Sequence, residues 1–360
     1  MFSARKRIPL SELQPQRIGL IKPSAFGDII HSLPVLSALR QRFPEARIVW
    51  VVNREYESLL RDHPDLDDTL PFDRSAIRVG WRTAWDRYSQ FWSNLRAENF
   101  DLVIDLQGLF RSGLMSLLTG APRRIGLSTA RECAGWFYTD IVGGPDMRSQ
   151  HAVERNWTVA QSLHADLEPI RFEVSRSDTE HLRMEQRLSR LPRPWVVFGV
   201  GARWESKRWL EEHFLNLGQR ILDTFGGSIL FIGQNEETPI VRNIQRHLLG
   251  SSCDLTAQTG LPELTAVLSL ADLMVANDTG PVHLAAALGT PVVAPYTCTK
   301  AQFHGPYKAR GVAVESTVSC QGSYLRRCSR LQCMQELTPD RLWPHVRKVL
   351  SACRQQKVAA

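Results

Sequence analysis

Short β-rich runs alternate with helical patterns along the whole chain, and this alternation constrains the fold more than any other feature. "RIGLIK" (17–22), "ARIVWVV" (46–52), "DLVIDLQ" (101–107) and "RRIGL" (123–127) carry it in the first half. "WVVFGVGA" (195–202), "SILFIG" (228–233), "DLMVAN" (272–277) and "PVVAPY" (291–296) repeat it in the second. Strands separated by helices pair in parallel, joined by crossover connections. A charged helical stretch, "VSRSDTEHLRMEQRLSRLPRPW", closes on two prolines between the two series and reads as a linker region. The expectation is two α/β domains of similar build with a cleft between them. A chain of 360 residues, 43% of them hydrophobic, can fill two cores of that size.

Three stretches place polar residues where a strand runs into a helix, and ligands of open α/β sheets bind just beyond the carboxyl ends of strands. In "IKPSAFGDIIHSLPVL" (21–36) a tight turn holds Gly27, Asp28 and then His31. Asp28 is either a cap, stabilised by free backbone N–H groups and the helix dipole, or a functional carboxylate. In "VANDTGPVHLAAALGTPVVAPY" (275–296) the strand ends at Asn277, and Asp278, Thr279, Gly280 and Pro281 open a helix with His283 one turn in. Free N–H groups beside a glycine suit a diphosphate. Asp278 would repel such a ligand, and its use is either to orient His283 or to hold the turn. In "GVGARWESKRWLEEHF" (199–214) Arg203, Lys207 and Arg208 sit in a loop before a helix, where cations can neutralise phosphate oxygens as a bond breaks.

These stretches, with "DLVIDLQGLFRSG", "QHAVERN" and the late "RRCSRLQCM", resemble glycosyltransferase family 9, the ADP-heptose:lipopolysaccharide heptosyltransferases. The resemblance runs from about Arg17 to about Leu342, and "IDLQGLFRSG" with "QHAVER" is similar to the heptosyltransferase I branch. It implies a GT-B fold: two Rossmann-like domains with parallel sheets facing each other across a cleft. The implied partition is an acceptor-side domain over 1–175, a linker region over 176–194 and a nucleotide-sugar-binding domain over 195–338. A C-terminal helix within 339–360 would cross back to the first domain. The implied reaction is inverting, metal-independent transfer of a heptose from ADP-heptose to a lipopolysaccharide inner-core sugar. Alternatives are a related GT-B transferase with another nucleotide sugar or acceptor, a sugar-nucleotide epimerase of the same shape, and a non-catalytic sugar-nucleotide-binding protein.

Matched position by position, Asp28 takes the place of the general base and Lys207 that of a lysine on the donor phosphates. Asp278, Thr279, Gly280 and His283 match the donor-binding turn, and Arg203 stands beside it. His31, Gln107 and Arg111 are acceptor-side candidates, with Arg131 and Glu132 weaker ones. The chain departs from the family pattern at Ala202 and Arg203, where hydroxyl residues are usual, and after Cys320, where an extra cysteine is common. A carboxylate is a weak base, and it suffices here because the acceptor hydroxyl acidifies as its bond to carbon forms.

Other features bear on partners and place. Residues 301–357 hold ten Lys/Arg against three Asp/Glu, equal to the net charge of +7, while the remainder is balanced. A basic patch suits a phosphorylated substrate, an anionic membrane surface or nucleic acid, and the absence of a zinc-finger or RNA-binding signature argues against the last. Trp81, Trp85, Tyr88, Trp92 and Leu95 recur at helical spacing, with Arg78, Arg82, Arg87 and Arg96 elsewhere. That stripe suits core packing first and a bilayer surface second. No apolar run is long enough for a membrane span and no h-region follows Met1, so a cytoplasmic enzyme visiting the inner membrane's cytoplasmic face is expected. Seven cysteines do not make a disulfide scaffold, and the spacings of Cys320, Cys328 and Cys333 fit no paired zinc motif. Neither a metal nor a cofactor is expected, and "DLD" at 65–67 reads as a turn rather than a metal site.

Overall fold

The computed structural model describes residues 8–73, 81–308 and 311–359. The chain divides between Ser175 and Arg176 into two compact units, each built on one parallel sheet of six strands. In the first, β1 (Arg17–Ile21), β2 (Arg47–Asn53), β3 (Asp68–Phe72), β4 (Leu102–Asp105), β5 (Arg123–Leu127) and β6 (Asp140–Val142) lie in the order β3-β2-β1-β4-β5-β6. In the second, β7 (Trp195–Gly199), β8 (Ser228–Ile232), β9 (Ser251–Asp254), β10 (Leu273–Ala276), β11 (Val292–Tyr296) and β12 (Val312–Glu315) lie in the order β12-β11-β10-β7-β8-β9. Counted from each unit's own first strand, both orders are the doubly wound 3-2-1-4-5-6. All pairings are parallel; Ile18 of β1 aligns with Ile48 of β2 and Leu102 of β4, and Val196 of β7 aligns with Leu273 of β10.

The sequence-read strands are the inner ones, recovered to within a residue or two at most ends. Every residue of β4, β7, β8, β10 and β11 is buried, as required when helices cover both faces. The four strands that sequence reading missed, β3, β6, β9 and β12, are the four sheet edges. There burial is partial, as in "SSCD" of β9, where no residue is fully covered.

In the first unit, Ile21, Val49, Val51, Phe72 and Val103 form one core face, closed by Phe91, Leu95 and Met115. Tyr88 and Trp92 pack against it. The helix Trp81–Ala97 thus turns Tyr88, Trp92 and Leu95 toward the sheet, so this part of the stripe is core. Arg78 and the side chains of Trp81, Arg82, Trp85 and Arg87 lie outside the described residues. The "DLD" carboxylates are structural: Asp65 accepts from Ser37 Oγ at 2.6 Å, and Asp67 accepts from Ile48 N and pairs with Arg40, both at 2.6 Å.

In the second unit the core joins Phe198, Phe214 and Phe231 to Leu342, Trp343, Val346 and Leu350 of the helix Pro339–Ala359. The stretch 176–194 also lies within this unit. Its helix Asp178–Leu188, capped by Ser177, buries Met184 and Leu188 and packs on the helix Leu261–Leu270.

Candidate active site

Strand order reverses between β1 and β4 in one sheet and between β7 and β10 in the other. At such a switch point adjacent crossovers leave on opposite faces, opening a crevice at the strands' carboxyl ends. The sequence-marked residues gather at both crevices.

In the first unit β1 runs through Lys22 into a turn and the short helix Phe26–Ile30, whose first turn holds Asp28. Asp28 is half-buried, and its Oδ2 accepts from Ala25 N at 3.2 Å. Asp28 is therefore a cap through one oxygen. Gln107, just past β4, closes the same turn by accepting from Ser24 N at 3.3 Å. His31 follows the helix, buried edge-on to His151 at 5.3 Å between ring centroids. Asn156 holds this corner, donating to the His31 carbonyl at 3.1 Å and to Ser32 Oγ at 3.0 Å. His151 and Asn156 both belong to "QHAVERN", which thereby packs beneath the turn. The structure thus joins Asp28, His31 and Gln107 in one corner. Arg111 lies with its guanidinium 6.0 Å from the Phe72 ring, and Glu132 accepts from Phe110 N at 3.3 Å.

Asp105 is the residue that sequence reading passed over. It is wholly buried and accepts from Gln107 N at 2.8 Å, Gly108 N at 3.1 Å and Tyr138 Oη at 2.6 Å. Burial pushes its carboxyl up, and these bonds oppose the push. Gly108 needs its glycine, with φ +66° and room for no more than the Ala130 backbone beside it. Its carbonyl then accepts from Arg131 N at 2.8 Å, drawing Arg131 toward the same crevice. The signal was an aspartate ending an otherwise apolar strand, where burial forces a polar group to organise the next turn.

In the second unit Asn277, fully buried at the end of β10, accepts from Trp209 N at 2.9 Å and donates to the Val200 carbonyl at 2.8 Å. It staples the loop after β7 to the turn after β10. Asp278 Oδ2 meets Lys207 Nζ at 2.5 Å and accepts from Thr299 Oγ1 at 2.6 Å, while His283 Nε2 lies 3.8 Å from Oδ1. Burial pushes the Asp278 carboxyl up, but Lys207, His283 and the hydrogen bonds outweigh it and hold the group below its ordinary value. Asp278 therefore anchors Lys207, a use that sequence reading had not considered. Thr279 Oγ1 donates to the Asn277 carbonyl at 3.1 Å, and Gly280 opens the helix Gly280–Ala287. Arg203 is exposed at the start of the loop.

A second cation joins this loop from far along the chain. Lys207 Nζ lies 4.7 Å from the Trp204 ring centroid and Arg326 Cζ lies 5.4 Å from it. Buried Ser206 clasps the two segments, its hydroxyl donating to the Leu325 carbonyl and its N–H to the Arg326 carbonyl at 3.4 Å. The late cysteines border this region. Burial, then the neighbouring Cys320 and Cys298, push the Cys333 thiol up.

Three comparisons bear on these crevices. The family described as glycosyltransferase family 9 (heptosyltransferase) matches residues 88–334. Lipopolysaccharide heptosyltransferase 1 of Pseudomonas aeruginosa is 29% identical over 324 residues, 87% of each chain. Among solved structures, Escherichia coli heptosyltransferase WaaC with ADP superposes with a TM-score of 0.72 at 26% identity, over 92% of this chain and 99% of that one. A glycosyl transferase family 9 structure from Veillonella parvula reaches 0.82 at 19% identity, over 96% and 99%, a likeness of fold.

The geometry makes a test of the Lys207–Asp278 pair. Asp278→Ala strands a largely buried ammonium and is expected to cost about 3 kcal/mol in urea unfolding. A cycle with Lys207→Met should show coupling above about 1 kcal/mol. Because the folded carboxyl lies below its unfolded value of about 3.9, the pair's stabilisation is full above that pH. It fades as pH falls through the lower folded value. Independent, additive losses would show that the pair is incidental.

Proposed function

The chain belongs to glycosyltransferase family 9, and on that premise we propose that it moves a heptose from ADP-heptose to an inner-core sugar of lipopolysaccharide, with inversion and without a metal. The observation that carries this reading is the division of chemistry between the two switch points, a carboxylate at one and a lysine beside a helix start at the other. Asp28 keeps one carboxylate oxygen for a proton while the other caps its helix. As the acceptor oxygen attacks the anomeric carbon, Asp28 takes its proton and the bond from that carbon to the diphosphate breaks. Attack opposite the leaving group inverts the centre. Lys207, the N–H groups at Gly280 and the nearby Arg203 and Arg326 meet the charge that collects on the departing ADP. A fixed ammonium here does the work that a divalent ion does elsewhere, which supports metal independence.

The 1–175 segment is assigned the acceptor and 195–338 the donor, with His31, Gln107 and Arg111 on the acceptor and Asp278, Thr279, Gly280 and His283 shaping the donor turn. The acceptor's lipid draws the enzyme to the cytoplasmic membrane surface. Arg327, Arg330, Arg347 and Lys348 of the basic tail are exposed for that contact, each worth on the order of 1 kcal/mol against anionic lipid.

Three measurements follow. Asp28→Asn is expected to lower turnover at least a hundredfold while calorimetric ADP affinity stays within twofold; near-wild-type turnover would reduce Asp28 to a cap. Dialysis against a strong chelator should leave transfer intact, and activity restored only by added metal would overturn metal independence. Cosedimentation with anionic vesicles at low salt should largely vanish at about 0.5 M salt, where screening is more than twofold shorter than at 0.1 M. Equal binding to neutral vesicles would contradict the electrostatic contact.

A further inference from the structure

Lys22 is the most improbable charge in the first unit. It directly follows β1, only 7% exposed, and its Nζ donates to the Leu106 carbonyl at 2.9 Å, tying the ends of β1 and β4 together. An ammonium carries three N–H donors, and this is the one hydrogen bond it makes among the described residues. No carboxylate comes within ion-pair distance of it among those residues. Asp105 is occupied by Gln107 N, Gly108 N and Tyr138 Oη, and Asp28 Oδ2 by Ala25 N. Burial lowers the proton affinity of Lys22 most; Asp28 and then Asp105 hold it up, while Arg155 and Arg131 lower it further. A buried charge with two donors unspent is costly unless a partner arrives.

We propose that Lys22 binds the acceptor, donating its two remaining N–H groups to sugar oxygens next to the hydroxyl that Asp28 deprotonates. This rests on the reading of Asp28 as the base. The competing role is a structural strap between β1 and β4, for which one hydrogen bond is enough. A strap uses only the bond to the Leu106 carbonyl, whereas a cation with donors to spare that feels the Asp28 charge also serves a polyhydroxyl ligand.

The two roles differ in what a substitution changes. The probe is a deacylated lipopolysaccharide core lacking heptose, varied at saturating ADP-heptose with the full-length chain. Lys22→Met is expected to raise the acceptor KM at least tenfold. ADP affinity and the slow hydrolysis of ADP-heptose without acceptor should stay within twofold. In the wild type, kcat/KM for the acceptor should fall at a pH below the ordinary lysine range, as the ammonium loses its proton. Tyr138 is not the source of that fall, because burial and Asp105 push its phenol up. Lys22→Arg keeps the charge, so most of the acceptor affinity should remain and the alkaline fall should disappear.

A lower melting temperature with acceptor KM within twofold would make Lys22 a strap and overturn the proposal. Equal losses for acceptor and ADP would overturn it too. Should Lys22→Met not fold, the Lys22→Arg profile decides, and an alkaline fall unchanged from wild type rejects the proposal. The base reading fails separately, through a Asp28→Asn variant that keeps transferring heptose.

Discussion

Parallel strands wrapped by helices on both faces have no wet side, so polar chemistry can collect only where the strands end. In a doubly wound sheet the ends are not equivalent, because helices crowd all of them except at the point where strand order reverses. Both sheets here obey that constraint. Lys22 and Asp28 leave β1 beside Gln107 leaving β4, and the Lys207 loop leaves β7 beside Asn277 leaving β10. The remaining site features follow from keeping those ends open and rigid: Asp105 organises one turn and Asn277 the other, each fully buried.

A carboxylate in a turn proposed to bind phosphate looks like a mistake until its partner is located. Asp278 would repel a diphosphate if its charge stood alone, but it is spent on Lys207 at 2.5 Å and on Thr299. The pair fixes the ammonium in place at the expense of some of its field. Under the proposed donor role, an arriving diphosphate competes with Asp278 for Lys207, and supplementary cations gain importance. Arg326 on the Trp204 ring is such a cation, brought in by Ser206 from a segment more than a hundred residues away.

How much of this was legible in the sequence depends on how local the cause is. Inner strands announce themselves because both faces are dry. β3, β6, β9 and β12 did not, since an edge strand such as "SSCD" has no need to be apolar throughout. Asp28, Lys207 and the "NDTGPVH" turn were visible because each motif is contiguous. Lys22 and Asp105 were hidden in plain view, one just past and one at the end of an apolar strand, where only the pairing of β1 with β4 brings the two ends together. Arg326 was visible only as the first residue of "RRCSRLQCM", with nothing local to tie it to Lys207. Its role comes from the clasp at Ser206, a contact between residues 119 positions apart.

Two copies of one topology have thus been given opposite electrostatic treatment. At the second switch point a cation and a carboxylate neutralise each other, and the site holds its charge in a fixed, nearly closed pair. At the first, Lys22 and Asp28 both retain unused hydrogen-bonding capacity, one as donor and one as acceptor. On the proposed assignment of acceptor and donor, the difference matches what each ligand brings. A diphosphate supplies its own strong charge and is best met by groups already in place, whereas a sugar hydroxyl is neutral and must be both oriented and deprotonated. An unspent donor and an unspent acceptor on the one turn that leaves β1 are suited to both tasks.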